Sequence, residues 1–188
     1  DKEGRVIYMS TFSKILSPGL RIGWVVANKH IVDFMEKAKQ TADLHTPTLT
    51  QFIAMEAIRR GVVDESIDKA KILYRAKRDA MIEALDTYMY KEAWWPRPVG
   101  GLFVMVFLPS YDIDTKKMLM EAIDAGVAYV PGASFFANGM GWNTMRLNFS
   151  YPSPEEIREG VRIIADLVKE KIKEKPTKIT PLSFFKGK

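Results

Sequence analysis

The chain has 188 residues, 47% hydrophobic and 27% charged, with 28 basic and 23 acidic side chains and a net charge of +5. Such a chain can build one domain with a sizeable core, or one domain and part of another, and its proportions are those of an ordinary globular protein. The absence of cysteine excludes disulfides, thiolate metal sites and thiolate nucleophiles. No uncharged apolar run is long enough for a membrane span, and the opening Asp1-Lys2-Glu3-Gly4-Arg5 does not resemble a secretory signal, so the expected location is the cytoplasm. Basic and acidic residues alternate along helical stretches, as on solvated faces, and no nucleic-acid partner is expected.

In chain order, Val6-Ile7-Tyr8-Met9 and the run 22–27 read as short buried strands. Between them stands S-T-F-S-K-I-L-S-P-G-L-R, residues 10–21, in which Lys14 occupies a hydroxyl-rich turn and Arg21 follows a short loop later. A lysine amine condenses with aldehydes when its charge is suppressed, and hydroxyls and a guanidinium are the usual side-chain partners of a phosphate. A lysine between two buried strands is placed at a cleft. Asn28 caps a helix over 29–42, with Ile31, Phe34, Met35 and Ala38 on one face. Pro47 suits the opening of the next helix, over 51–60, which Gly61 ends.

The longest helical pattern covers about 64–89, with Ile67, Ala70, Leu73, Tyr74, Met81 and Leu85 at spacings of three and four. A Trp- and Pro-rich entry over 94–101 leads to an apolar strand over 102–108. A helix over 115–125, a strand over 127–130, a loop over 131–136 and a strand over 144–149 follow. Ser153 and Glu156 form a capping box that opens a final helix reaching about 173. Residues 176–188 read as an irregular tail in which Phe184-Phe185 is free to dock. In the strand over 144–149, alternation sets Met145, Leu147 and Phe149 on one face and Arg146 and Asn148 on the other. A guanidinium fixed on a strand grips a carboxylate through two parallel hydrogen bonds, although a salt-bridged strand arginine fits the pattern too. Arg97 is the rival for that role and is expected to be structural. His30 and His45 have no acidic or cysteine partners at metal-ligand spacing, so no metal site is expected. Nor does Ser13 have a His/Asp pair to activate it.

The run S-T-F-S-K-I-L-S-P-G-L-R-I-G-W, residues 10–24, resembles the cofactor-lysine segment of the pyridoxal-phosphate-dependent aminotransferases of fold type I. It is most similar to the branch holding the 2-aminoadipate, kynurenine and aromatic aminotransferases. The resemblance implies that Lys14 forms the Schiff base with pyridoxal 5′-phosphate and shuttles the substrate proton. It also implies that Thr11, Ser13 and Arg21 hold the cofactor phosphate, and that Arg146 anchors the substrate carboxylate. Both tasks require the Lys14 amine to fall from its ordinary pKa of about 10.4 toward neutrality, which burial beside Arg21 favours.

The implied fold is α/β. The end of the large cofactor domain (strand, lysine loop, strand and helices, residues 1–75) is followed by the small C-terminal α/β domain (76–175) and the tail (176–188). The implied substrates are an amino acid and a 2-oxo acid, with 2-oxoglutarate as acceptor, and the implied state is a homodimer or higher self-association. Gly100-Gly101 resembles the family's glycine pair near the substrate side chain, and 130–135 resembles a loop near the substrate entrance whose role is shape. By family order, the first half of the large domain lies outside these residues. A second expectation is therefore a truncated fragment or assembly partner, catalytically incomplete and without activity of its own. A transcription regulator that fuses an aminotransferase-like domain to a winged helix ranks last, because no stretch here supplies a DNA-binding part.

Overall fold

The computed structural model describes residues 2–109 and 113–172, and the chain divides into two compact units, Asp1–Lys71 and Ile72–Lys188. In the first unit, β1 (Tyr8–Thr11) pairs antiparallel with β2 (Gly23–Val26), setting Met9 opposite Val25 and Thr11 opposite Gly23. Helix α1 (Lys29–Ala42) starts where its cap predicts: Asn28 Oδ1 accepts the His30 N–H at 3.0 Å. Helix α2 (Thr48–Arg59) begins earlier than its apolar pattern. The Pro47 carbonyl accepts the Gln51 N–H and the Thr50 hydroxyl, so the proline caps the helix and Thr48 already belongs to the first turn. Gly61 then takes a left-handed φ of +72°, which separates α2 from α3 (Val62–Tyr88).

The strands flanking Lys14 are not buried as expected. Tyr8 and Met9 are 55% and 69% exposed, and Val26 and the α1 residue Phe34 are exposed as well. Apolar composition reports what seeks cover, not what supplies it. Among the described residues β1 and β2 form a sheet of two strands only, and a two-stranded ribbon gains little burial.

The core lies in the second unit. A three-stranded antiparallel sheet has the order β3-β5-β4, with β3 at Phe103–Phe107, β4 at Val130–Pro131 and β5 at Thr144–Asn148. Its registers place Val104 opposite Leu147 and Val106 opposite Met145. These four residues and Phe149 form one buried face, and they share a core with Leu85 of α3, Met118 and Ala122 of α4 (Thr115–Asp124), and Val161, Ile164 and Val168 of α5 (Pro154–Ile172). The buried α3 residues of this core all lie in its second half, with Tyr74 packed against them, and Leu73, expected on the apolar face, is exposed.

Strand β4 is shorter than the apolar run 127–130. The Gly126 and Val127 N–H groups donate to Ile123 O and Ala122 O, both at 2.9 Å, and so complete the turn that ends α4. The capping box is formed as predicted: the Ser153 N–H donates to the Glu156 carboxylate at 2.7 Å and the Glu156 N–H to Ser153 Oγ at 3.2 Å. Buried polar groups tie down the approach to β5. Tyr129 donates its hydroxyl to Thr115 O at 2.7 Å, and Asn143 Nδ2 donates to Leu108 O at 2.7 Å. Residues 173–188, with Phe184-Phe185, lie outside the described residues. No helix among the described residues is long and apolar enough to cross a membrane.

Candidate active site

The lysine turn is built by the residues around it. Phe12–Lys14 is a single 3-10 turn leaving β1, with Thr11 at its cap. Thr11 Oγ1 accepts the Ser13 N–H at 3.1 Å and donates to Ile22 O at 2.8 Å. With its hydrogen so committed, it is the acceptor for the Ser13 hydroxyl 2.9 Å away. The Phe12 carbonyl accepts the N–H groups of Ile15, Leu16 and Ser17, the Phe12 N–H bonds Ile22 O, and the Phe12 ring packs on Trp24 with centroids 4.8 Å apart. The turn is thus fixed from both ends. Lys14 itself stands exposed, with no hydrogen bond or ion pair to its ammonium among the described residues. The buried amine expected from the flanking strands is not found, for the same reason that those strands lack cover.

Arg21 sits beyond a second 3-10 turn, Pro18–Leu20, at φ 54° and ψ 39°. This is left-handed backbone that a non-glycine residue adopts at a cost. Its Nη1 donates to Pro18 O at 3.2 Å, which spends one of the five guanidinium donors. The structure therefore joins Thr11 and Ser13 directly, whereas Arg21 bonds within its own turn.

In the second unit, Arg146 occupies the middle of β5, on the sheet face opposite the core. Its direct cross-strand neighbours are Met105 and Val130, and Phe103 stands on the diagonal, opposite Asn148. The guanidinium carbon lies 4.1 Å from the centroid of the Phe103 ring and 4.5 Å from that of Phe135. No carboxylate of the described residues pairs with it, and its Nε is buried without an acceptor. A salt-bridged strand arginine is therefore not what the structure contains. Arg97 is the opposite case: its Nη2 donates to both carboxylate oxygens of Asp86 at 2.8 Å.

The family model described as aminotransferase class I and II matches residues 1–164. The chain belongs to the class I and II aminotransferases. It is 55% identical to an uncharacterised aminotransferase of Saccharolobus solfataricus over 92% of this chain and 43% of that protein. It is 49% identical to aromatic-amino-acid aminotransferase 1 of Thermococcus litoralis, over 93% and 42% respectively. Among solved structures, the multiple substrate aminotransferase of Thermococcus profundus matches with a TM-score of 0.88 at 52% identity, covering 93% of this chain and 43% of that one. LysN, an alpha-aminoadipate aminotransferase of Thermus thermophilus complexed with N-(5′-phosphopyridoxyl)-L-leucine, matches with a TM-score of 0.82 at 41% identity, covering 89% and 43%. The chain spans less than half the length of these aminotransferases.

The α/β architecture is that of fold type I, and pyridoxal 5′-phosphate is the cofactor of such enzymes. The donor set of the lysine turn fits that group. A lysine amine with no partner among the described residues suits an aldehyde, and a guanidinium with most of its donors unspent suits a phosphate; the Thr11 and Ser13 hydroxyls lie in the same turn, their hydrogens bonded to Ile22 O and Thr11 Oγ1. Sequence reasoning missed Phe103 and Phe135. Phe103 was within reach, since alternation along β3 sets it on the face opposite Val104 and Val106. Phe135 lies in a loop and gave no periodic signal.

Proposed function

We propose that this chain carries the cofactor lysine and the substrate arginine of an amino-acid:2-oxo-acid aminotransferase of the aromatic or 2-aminoadipate type, with 2-oxoglutarate as acceptor. In this reading residues 1–75 belong to the cofactor domain and 76–175 to the small domain, and the reaction takes place in the cytoplasm. The observation that carries it is Arg146: a guanidinium on a rigid strand, partly buried, with no carboxylate of the described residues to neutralise it. A cation held this way is an anion site awaiting its ligand.

The roles follow from the chemistry of each group. The guanidinium of Arg21 would bind the cofactor phosphate by charge-assisted hydrogen bonds, joined by the hydroxyls of Thr11 and Ser13 once their hydrogens turn from Ile22 O and Thr11 Oγ1 toward it. Lys14 Nζ would hold the cofactor through its aldehyde group and, when released by the substrate amine, would carry the proton at the substrate alpha carbon. Arg146 orients the substrate carboxylate, which fixes where the alpha proton stands. When bound, the cofactor supplies the electron sink that stabilises negative charge at that carbon. The test is a titration of the protein with pyridoxal 5′-phosphate, followed in the visible spectrum. A saturable band is expected in the wild type and no band in Lys14→Ala. Arg146→Ala is expected to keep the band and lose the spectral response to amino acids. Lys14→Ala retaining both band and turnover would refute the assignment.

A second reading has its own support. Tyr8, Met9, Val26 and Phe34 are exposed, and a two-stranded ribbon has open edges. Such surfaces seek partners, and we infer a homodimer or higher assembly. In its strong form the chain is an assembly partner without activity of its own. That form predicts self-association in sedimentation with no saturable cofactor band. A stoichiometric band that amino donors discharge removes it.

A further inference from the structure

We propose that Phe103 and Phe135 are positioning residues that hold the Arg146 guanidinium between two aromatic faces, leaving its outer N–H donors unspent for an incoming carboxylate. The inference rests on the reading of Arg146 given above and deepens it.

The two rings reach the arginine from opposite sides of its strand. Phe103 comes from β3 on one flank of β5, and Phe135 ends the 3-10 turn Gly132–Phe135 that leaves β4 on the other. Both ring centroids lie within 4.5 Å of the guanidinium carbon, inside the range of about 6 Å in which a ring face attracts a cation. Both rings are themselves substantially exposed, Phe103 by 38% and Phe135 by 45%, so neither is explained by packing into the core. The turn that carries Phe135 is seated by close packing. Gly132 is buried, and a Cβ there would come within 2.8 Å of Thr144 Cβ and of Thr144 O.

A long side chain needs something to fix it if it is to present a guanidinium in one orientation. A carboxylate would do so, but it would occupy the donors and compete with the substrate. Ring faces attract the cation and accept nothing in the guanidinium plane. The accessibility of the arginine atoms fits this division. Nε is buried and unbonded, whereas the outer nitrogens, also unbonded among the described residues, are not buried. Thus the inner edge is enclosed, the faces are held by the rings, and the outer edge stays accessible, with the paired donors that bind a carboxylate.

The experiment uses the full 188-residue chain labelled with 15N. Hydrogen exchange of the Arg146 Nε–H, identified by its loss in Arg146→Lys, reports how the guanidinium is held in the protein without ligand. Affinity for L-phenylalanine and L-2-aminoadipate, measured on protein loaded with pyridoxal 5′-phosphate, reports the consequence. Phe103→Leu and Phe135→Leu should each speed the exchange and weaken both ligands by about 2–5-fold, and the double variant more. Phe103→Tyr and Phe135→Tyr, which keep the ring face, should restore both readouts. Leucine variants with wild-type exchange and affinity, or tyrosine variants no better than leucine, overturn the proposal. Arg146→Ala binding both ligands as tightly as the wild type overturns instead the reading on which it rests.

Discussion

Replacing Arg146 with methionine separates a binding arginine from a structural one. Methionine keeps an unbranched stem between Phe103 and Phe135 but removes the charge. Two ring contacts at 4.1 and 4.5 Å are lost, each contributing about 0.5–1 kcal/mol at a partly exposed site. Against that stands the Nε–H, buried with no acceptor, whose desolvation costs about 1–3 kcal/mol and is relieved by the substitution. The two effects oppose each other, and the net change in unfolding free energy is expected to lie between a loss of about 1 kcal/mol and a gain of about 2 kcal/mol. Binding follows a different arithmetic. Two charge-assisted hydrogen bonds to a carboxylate contribute about 1.5–3 kcal/mol each, so affinity should fall about 100-fold or more. Urea unfolding followed by far-ultraviolet circular dichroism measures the first quantity, and titration of cofactor-loaded protein with an amino acid measures the second. A loss of stability above about 3 kcal/mol with unchanged affinity would refute the reasoning, because an arginine that stabilises the fold and leaves binding alone is a structural one.

Three further outcomes are expected. Leu85, fully buried in the second unit, should cost about 2–5 kcal/mol as Leu85→Ala, read as a lower urea midpoint. Arg21→Gly should relieve the left-handed strain at φ 54° and leave the thermal midpoint unchanged or slightly raised, while weakening pyridoxal 5′-phosphate at least 10-fold; a lowered midpoint with intact cofactor binding contradicts both roles. Finally, hydrogen bonds from Arg59 and then Arg60 hold the Glu56 carboxyl below its ordinary value, and Lys69 and Arg162 do the same for Glu65 and Glu159. The carboxyl pKa is lower folded than unfolded, so this contribution is fully present above the unfolded value of about 4.3 and is lost as pH falls through the folded one. The thermal midpoint should decline below about pH 4.5 by a margin that shrinks in 0.5 M salt and in Glu159→Gln, since all three pairs are solvent-exposed.

What could be read from the residues alone was whatever local chemistry decides. Asn28 and the Ser153–Glu156 pair marked helix starts because a cap is a bond between near neighbours in the chain. The faces of β5 were legible because a period of two with one apolar side admits one register. The burial of 6–9 and 22–27 was not legible, since hydrophobicity states a demand for cover and only the tertiary structure shows whether it is met. The site divides in the same way. Thr11, Ser13 and Lys14 are neighbours in sequence, and their turn closes through bonds to each other and to Ile22. The setting of Arg146 depends on pairing: Val130 must lie opposite it for the turn bearing Phe135 to arrive at its side. Arg97 and Arg146 look alike in composition, each a cation amid apolar and aromatic residues. What distinguishes them is that Asp86 reaches one, whereas among the described residues no carboxylate reaches the other. A donor spent on a neighbouring helix is unavailable to a substrate, so the absence of that one contact is the physical difference between an arginine that braces the fold and one that can bind.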